Sequence, residues 1–142
     1  MTPLKKANRC ELRYLLSSIR RAVLDDRLVL TFPKVKFKYS EILSLFCAEC
    51  LIESFEERGN YLVIRLKYTY WKTWGKPISA LVDIGPMKRV RRKDTIVWRD
   101  LAKKQHLEGD GILHVISTDR GIISSRSAVK KHLGGIPLIK AF

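Results

Sequence analysis

Residues 113–138, LHVISTDRGIISSRSAVKKHLGGIPL, gather the side chains best suited to chemistry in this chain. Ser117 and Thr118 carry hydroxyls that both donate and accept hydrogen bonds. Arg120, Arg126, Lys130 and Lys131 supply cations, with no acid on the helix that the last three would share. Gly121 lets a backbone approach closely. Ser124 is a good N-cap, because its oxygen can accept an orphan backbone N–H. Gly134 and Gly135 are expected to close the helix in the left-handed C′ conformation. The stretch therefore reads as a strand, a loop of hydroxyls from Ser117 to Gly121, and a short basic helix. Hydroxyls, cations and backbone donors held together suit phosphate and ribose binding rather than bond breaking. An ordinary turn and a solvated helix face remain the plain alternatives.

Other chemistries find little support. Cys47-x-x-Cys50 has the spacing of a redox or zinc motif. A zinc site needs four ligands, and Cys10, His106, His114 and His132 show no matching pair. The pair reads better as small apolar residues near a helix end. No phosphate-binding loop or dinucleotide turn occurs, and no nucleophile sits in a recognisable triad. The expectation is a protein that is not an enzyme, with no cofactor, metal or small-molecule substrate.

The charge balance points the same way. The 142 residues carry a net charge of +14 and a pI near 10.0, with 46% hydrophobic residues. A globular chain with so large an excess is built to meet a polyanion. Lys88, Arg89, Arg91, Arg92 and Lys93 form the densest cluster, five cations in six residues. Lys34, Lys36 and Lys38 alternate with Val35 and Phe37, which puts the ammoniums on one side of an extended segment. Residues 41–57 hold five acids and no base, so the remainder carries +19. That acidic stretch is expected to face away from the polyanion. No apolar run is long enough to span a membrane, and the odd count of three cysteines suggests a reducing compartment.

Periodicity outlines the elements that must hold these groups. Leu12, Leu15, Leu16, Ile19 and Val23 form one stripe of a helix over residues 11–24, with Arg20 off the stripe. A strand over 28–32 ends at Pro33, and a second helix over 40–50 opens with Ser40 as N-cap and Glu41 in its first turn. Gly59-Asn60 turns into a half-buried strand at 61–68, then an aromatic turn at 71–77. The strand at 78–84 pairs with the preceding one as a hairpin and is ended by Gly85-Pro86. A short helix over 95–105, a loop over 107–111 and a strand over 113–116 follow.

The string Ile116-Ser-Thr-Asp-Arg-Gly-Ile-Ile-Ser124, then a basic helix and Leu133-Gly-Gly, resembles the C-terminal signature of ribosomal protein eight of the small subunit. The likeness extends along the chain: Leu15 to Ala22, the Phe32-Pro33 turn, residues 42–55, Ile64 to Tyr68, and Pro86-Met-Lys-Arg-Val90. The chain departs from the family pattern at Cys50, where the family has a helix-ending glycine. Arg91 stands for a tyrosine, Asp119 for the second serine, and Ile136 for the glutamate after Gly-Gly.

The resemblance implies an α+β fold of two small lobes. Residues 1–68 would form an αβαββ lobe, and 69–142 a β-rich RNA-binding lobe with a short basic helix. It implies direct binding to a central-domain helix of small-subunit rRNA, with neighbouring small-subunit proteins as further partners. Arg20, Lys34, Lys36, the 88–93 cluster and the 117–135 residues named above are the expected RNA-binding set. The drift suggests a mitochondrial ribosome, with a bacterial cytoplasmic one as the rival. Two readings remain beside this one: a non-ribosomal RNA-binding protein such as a translational repressor, and a subunit held by protein contacts alone.

Overall fold

Leu12, Leu15, Leu16 and Ile19 are buried, as a single apolar stripe on one helix requires. They belong to α1 (Lys6–Leu24), which starts five residues before the expected helix does. Extending an existing helix fixes one residue per hydrogen bond gained, so polar residues can join it without an apolar face. The computed structural model describes residues 6–33, 40–70, 77–87, 95–109 and 111–142. The expectations for Lys34, Lys36 and Lys38, for the turn at 71–76 and for the 88–93 cluster lie outside the described residues.

The architecture is α+β, as expected. β1 (Val29–Pro33), β2 (Ile52–Arg58) and β3 (Tyr61–Leu66) form an antiparallel sheet in the order β1-β3-β2. The Gly59-Asn60 turn joins β2 to β3, and Leu62, Ile64 and Leu66 point into the core at period two. β2 is the extra strand of the αβαββ lobe that the resemblance implies; periodicity alone does not reveal it, because Glu53, Glu56 and Glu57 mask its strand character. α2 (Ser40–Ala48) packs Ile42, Leu43 and Phe46 into the same core.

The hairpin expected at 78–84 is shorter than its pattern. β4 (Tyr68–Tyr70) pairs only with β5 (Pro77–Ser79). Ile84 lies in β6 (Ile84–Pro86), so Gly85 and Pro86 are strand residues rather than the end of one. β6 is the edge strand of a four-stranded antiparallel sheet and pairs with β9 (Ile136–Ala141), in the order β6-β9-β7-β8. β7 (Leu113–Thr118) and β8 (Gly121–Ser124) form its other edge. α3 (Trp98–Glu108) starts three residues later than the expected helix and runs three residues beyond it, taking in the first two residues of the expected loop. α4 (Ser125–Lys130) follows β8 directly.

The main core draws on the three-stranded and the four-stranded sheet, from Leu12 on α1 to Ala141 on β9. β7 is covered on both sides: Val115 enters this core, while Ile116 joins a second cluster with Leu101 of α3 and Ala128 of α4. That double cover explains why Leu113 to Ile116 reads as an unbroken apolar-type run, His114 included.

Three helices end alike. Asp26, Cys50 and His132 have φ of 52°, 59° and 55°, the left-handed C′ position of a Schellman motif. In each, the following N–H bonds back five residues: Arg27 to Ala22, Leu51 to Phe46 and Leu133 to Ala128, all at 2.9 Å. None of the three is glycine.

Candidate RNA interface

β7 and β9 are antiparallel, and Ser117 at the end of β7 faces Ile136 at the start of β9. The turn leaving β7 and the connection entering β9 therefore meet at one end of the sheet. The first is the two-residue turn Asp119-Arg120, after which β8 begins at Gly121. Ser117 and Thr118 are thus strand residues, a correction to the five-residue loop expected of them. The Thr118 hydroxyl is buried and donates to the Gly121 carbonyl at 2.8 Å, while the Arg120 N–H donates to it at 3.2 Å. Gly121 has φ of 112°, which only glycine adopts without strain. Thr118 and Gly121 shape the turn. Ser117 is half-buried, and its hydroxyl has no partner among the described residues.

Ser124 caps α4 as expected: its side chain accepts from the Ser127 N–H at 3.2 Å. It is fully buried, so it acts through the helix it starts. Lys130 in the last turn and Lys131 at the C-cap are both exposed. The helix is not closed by Gly134-Gly135. His132 takes the left-handed position instead, and neither glycine has a positive φ. They are needed for space. A Cβ on Gly134 would lie 2.7 Å from the Ile96 carbonyl oxygen, and one on Gly135 would meet the Ser117 carbonyl oxygen and lie 2.7 Å from Ile116 Cγ2. Gly135 also exchanges two backbone hydrogen bonds with Ile96, at 2.8 and 3.0 Å. This glycine pair clamps three segments together at the sheet end.

The cations differ in their surroundings. Arg126 lies 3.6 Å from Glu49 in the turn after α2, and Arg20 on α1 lies 2.8 Å from Asp83 ahead of β6. Among the described residues no carboxylate pairs with Arg120, Lys130 or Lys131. The acidic stretch does not turn away as a whole. α2 borders the hairpin across an open groove lined by Glu41, Ser44, Ala48, Arg120, Gly121 and Ile122. Glu53, Glu56 and Glu57 lie instead on β2, at the edge of the other sheet.

A family model described as Ribosomal protein S8 matches residues 11–142. The chain belongs to the ribosomal protein S8 family. It is 30% identical over 125 residues to the small ribosomal subunit protein uS8 of Thermosynechococcus vestitus, covering 85% of this chain and 88% of that one. It is 29% identical over 127 residues to the small ribosomal subunit protein uS8c of Chlorella vulgaris, covering 85% and 89%. The uS8 of Vibrio cholerae serotype O1 (strain O395) is 31% identical over 124 residues, with 85% and 88% covered.

Within this S8 chain the structure accounts for one departure from the family pattern. Cys50 replaces a helix-ending glycine while keeping its left-handed φ of 59°. The Cys47 thiol is partly buried, which pushes its pKa up and makes it less nucleophilic. The sequence reading missed Trp98, Arg99 and Lys103 on α3. Their signal was present in Leu101 flanked by cations, but one buried apolar residue leaves little period to detect.

Proposed function

We propose that this protein is a structural constituent of the small ribosomal subunit that binds a central-domain helix of small-subunit rRNA directly and supports subunit assembly. Its role is architectural rather than catalytic, and its other partners are neighbouring small-subunit proteins. The observation that carries the reading is the end of the β6-β9-β7-β8 sheet, where, among the described residues, Arg120, Lys130 and Lys131 have no carboxylate partner and the Ser117 hydroxyl has no hydrogen-bond partner.

Cations without partners can neutralise phosphates and release counterions without first breaking an ion pair. A-form RNA offers 2′-hydroxyls across a shallow minor groove, which a half-exposed serine can read by donating and accepting. In this reading Ser117, Arg120, Lys130 and Lys131 touch RNA. Thr118, Gly121, Ser124, Gly134 and Gly135 hold the shape that presents them. Arg126 and Arg20 join with their carboxylate partners, Glu49 and Asp83. Lys34, Lys36, Lys88, Arg89, Arg91, Arg92 and Lys93 join on charge alone. Most of this set falls within residues 69–142, the proposed RNA-binding lobe, with residues 1–68 as its α/β support.

Binding to a transcribed central-domain fragment tests this, with affinity expected to fall steeply between low and moderate salt. An affinity indifferent to salt would refute the phosphate account. Co-sedimentation of tagged protein with small ribosomal subunits tests the assembly role. We assign the protein to the mitochondrial ribosome on its drift at Cys50, Arg91, Asp119 and Ile136. Cell fractionation decides that point, and sedimentation with cytosolic-type subunits alone would overturn it.

A further inference from the structure

We propose that α3 supplies a second phosphate-binding strip, Arg99 and Lys103, which extends the RNA surface beyond the hairpin and α4; the proposal rests on the RNA-binding reading above. Residues four apart on a helix are neighbours on one face, and both side chains here are exposed. Among the described residues no carboxylate pairs with either. Asp100, in the first turn, favourably meets the helix dipole.

The helix is fixed along its length. At its start the Trp98 ring stacks on His132, with centroids 4.3 Å apart and planes tilted by 35°. At its middle Leu101 is buried against Ile116 and Ala128. At its end Glu108 lies 2.5 Å from His114 Nε2 and 3.6 Å from Lys140 Nζ, which ties α3 to β7 and β9. The helix that carries the strip is therefore held in place before any ligand arrives, so only the two side chains remain to be ordered on binding.

Its position joins the surface already described. Ile96 is bonded to Gly135, and Trp98 is stacked on His132, the neighbour of Lys131. The start of α3 thus lies at the same end of the sheet as Lys130, Lys131 and the Asp119-Arg120 turn. The Arg99 guanidinium is 5.5 Å from the Trp98 ring centroid, a cation–π contact that orients it without neutralising it. Two cations at i and i+4 fit successive phosphates of an RNA strand, not a planar base or an apolar partner.

The test is a salt titration of binding to a transcribed central-domain rRNA fragment, with wild type, Arg99→Gln/Lys103→Gln, and the charge-keeping Arg99→Lys/Lys103→Arg. The glutamine pair is expected to bind about tenfold more weakly, with a log–log salt slope shallower by about 2, one unit per lost phosphate contact. The charge-keeping pair is expected to keep the slope. Wild-type slope and affinity in the glutamine pair would overturn the proposal while leaving the RNA-binding reading in place. Absence of salt-dependent binding by wild type would refute both. Should the glutamine pair fail to fold, crosslinking of the wild-type complex decides: peptides from 98–108 attached to RNA support the strip, and their absence refutes it.

Discussion

Replacing Gly135 with alanine adds one methyl group where three segments are already in contact. The new Cβ would press on the Ser117 carbonyl oxygen and sit 2.7 Å from Ile116 Cγ2, both on β7. Neither neighbour can yield cheaply. Ser117 is hydrogen-bonded within the sheet, and Ile116 is fully buried in the cluster with Leu101 and Ala128. Relief needs β9 or the Ile96 segment to move back by about an ångström, the overpacking regime that costs about 1–3 kcal/mol and occasionally more. The strain should fall at the top of that range, because backbone must move as well as side chain. At about 3 °C per kcal/mol for a chain of this size, the melting temperature should drop by about 6–9 °C. Gly111→Ala is the matched control: its Cβ would meet nothing within 4 Å and its φ is not positive. It should be neutral or slightly stabilising, by about 0.4–1 kcal/mol through the unfolded state. Thermal melts of the two variants side by side give the answer. Equal melting temperatures would refute the claim that this glycine is there for space.

Ser117→Ala should weaken binding to the rRNA fragment by about 1 kcal/mol with the melting temperature unchanged, whereas Thr118→Ala should lower stability by a similar amount through its lost turn bonds; paired binding and melting measurements check the division. Cys50→Gly should stabilise the protein by about 0.5–1 kcal/mol, since it removes the left-handed strain of a side chain at φ 59° at some entropic cost; a fall in the denaturation midpoint would contradict it. Burial pushes the Glu108 carboxyl up, but the hydrogen bond and charge of His114, with the charges of Lys140 and Lys104, outweigh that and leave it below its ordinary value. A carboxylate depressed in the folded state stabilises it above the unfolded pKa, and that contribution is lost as pH falls through the folded pKa. Glu108→Gln should therefore cost about 1.5–3 kcal/mol at neutral pH and flatten the acid side of the stability profile, measured by urea midpoints across the carboxylate range.

The elements most readable in the sequence are those with one buried face. α1 and β3 repeat their apolar residues at 3.6 and 2.0, and Leu12, Leu15, Leu16 and Leu62, Ile64, Leu66 are buried accordingly. β2 was hidden because only Ile52 and Phe55 face inward while its outer positions carry acids. The ends of β7 and α4 were misread for a different reason. Ser-Thr-Asp-Arg-Gly has the composition of a loop, yet the Thr118 hydroxyl completes a two-residue turn and lets the strand run on. Gly134-Gly135 looks like a helix stop, but His132 had already stopped the helix. Sequence marks a glycine's freedom; only the neighbouring Ile96 and Ser117 carbonyls reveal that a side chain there would have no room.

Charge shows the same limit more sharply. A net charge of +14 predicts a polyanionic partner without saying which cations meet it. Arg126 was picked out by its place on a basic helix, and Arg20 by lying off an apolar stripe. Yet Glu49 and Asp83, distant in sequence, stand 3.6 and 2.8 Å from them. Lys140 likewise reaches Glu108 at 3.6 Å. These pairs join the turn after α2 to α4, α1 to the approach of β6, and β9 to α3, so part of each cation's field is spent within the fold. Arg120, Lys130 and Lys131 belong to the same basic stretch and carry no such partner among the described residues, and Arg99 and Lys103 match them from an element whose sequence was ambiguous. A cation without a carboxylate costs the fold self-repulsion that a phosphate would relieve. On the RNA-binding reading proposed above, the cations that lack a carboxylate among the described residues, rather than the total charge, are therefore the better guide to where an RNA backbone would lie.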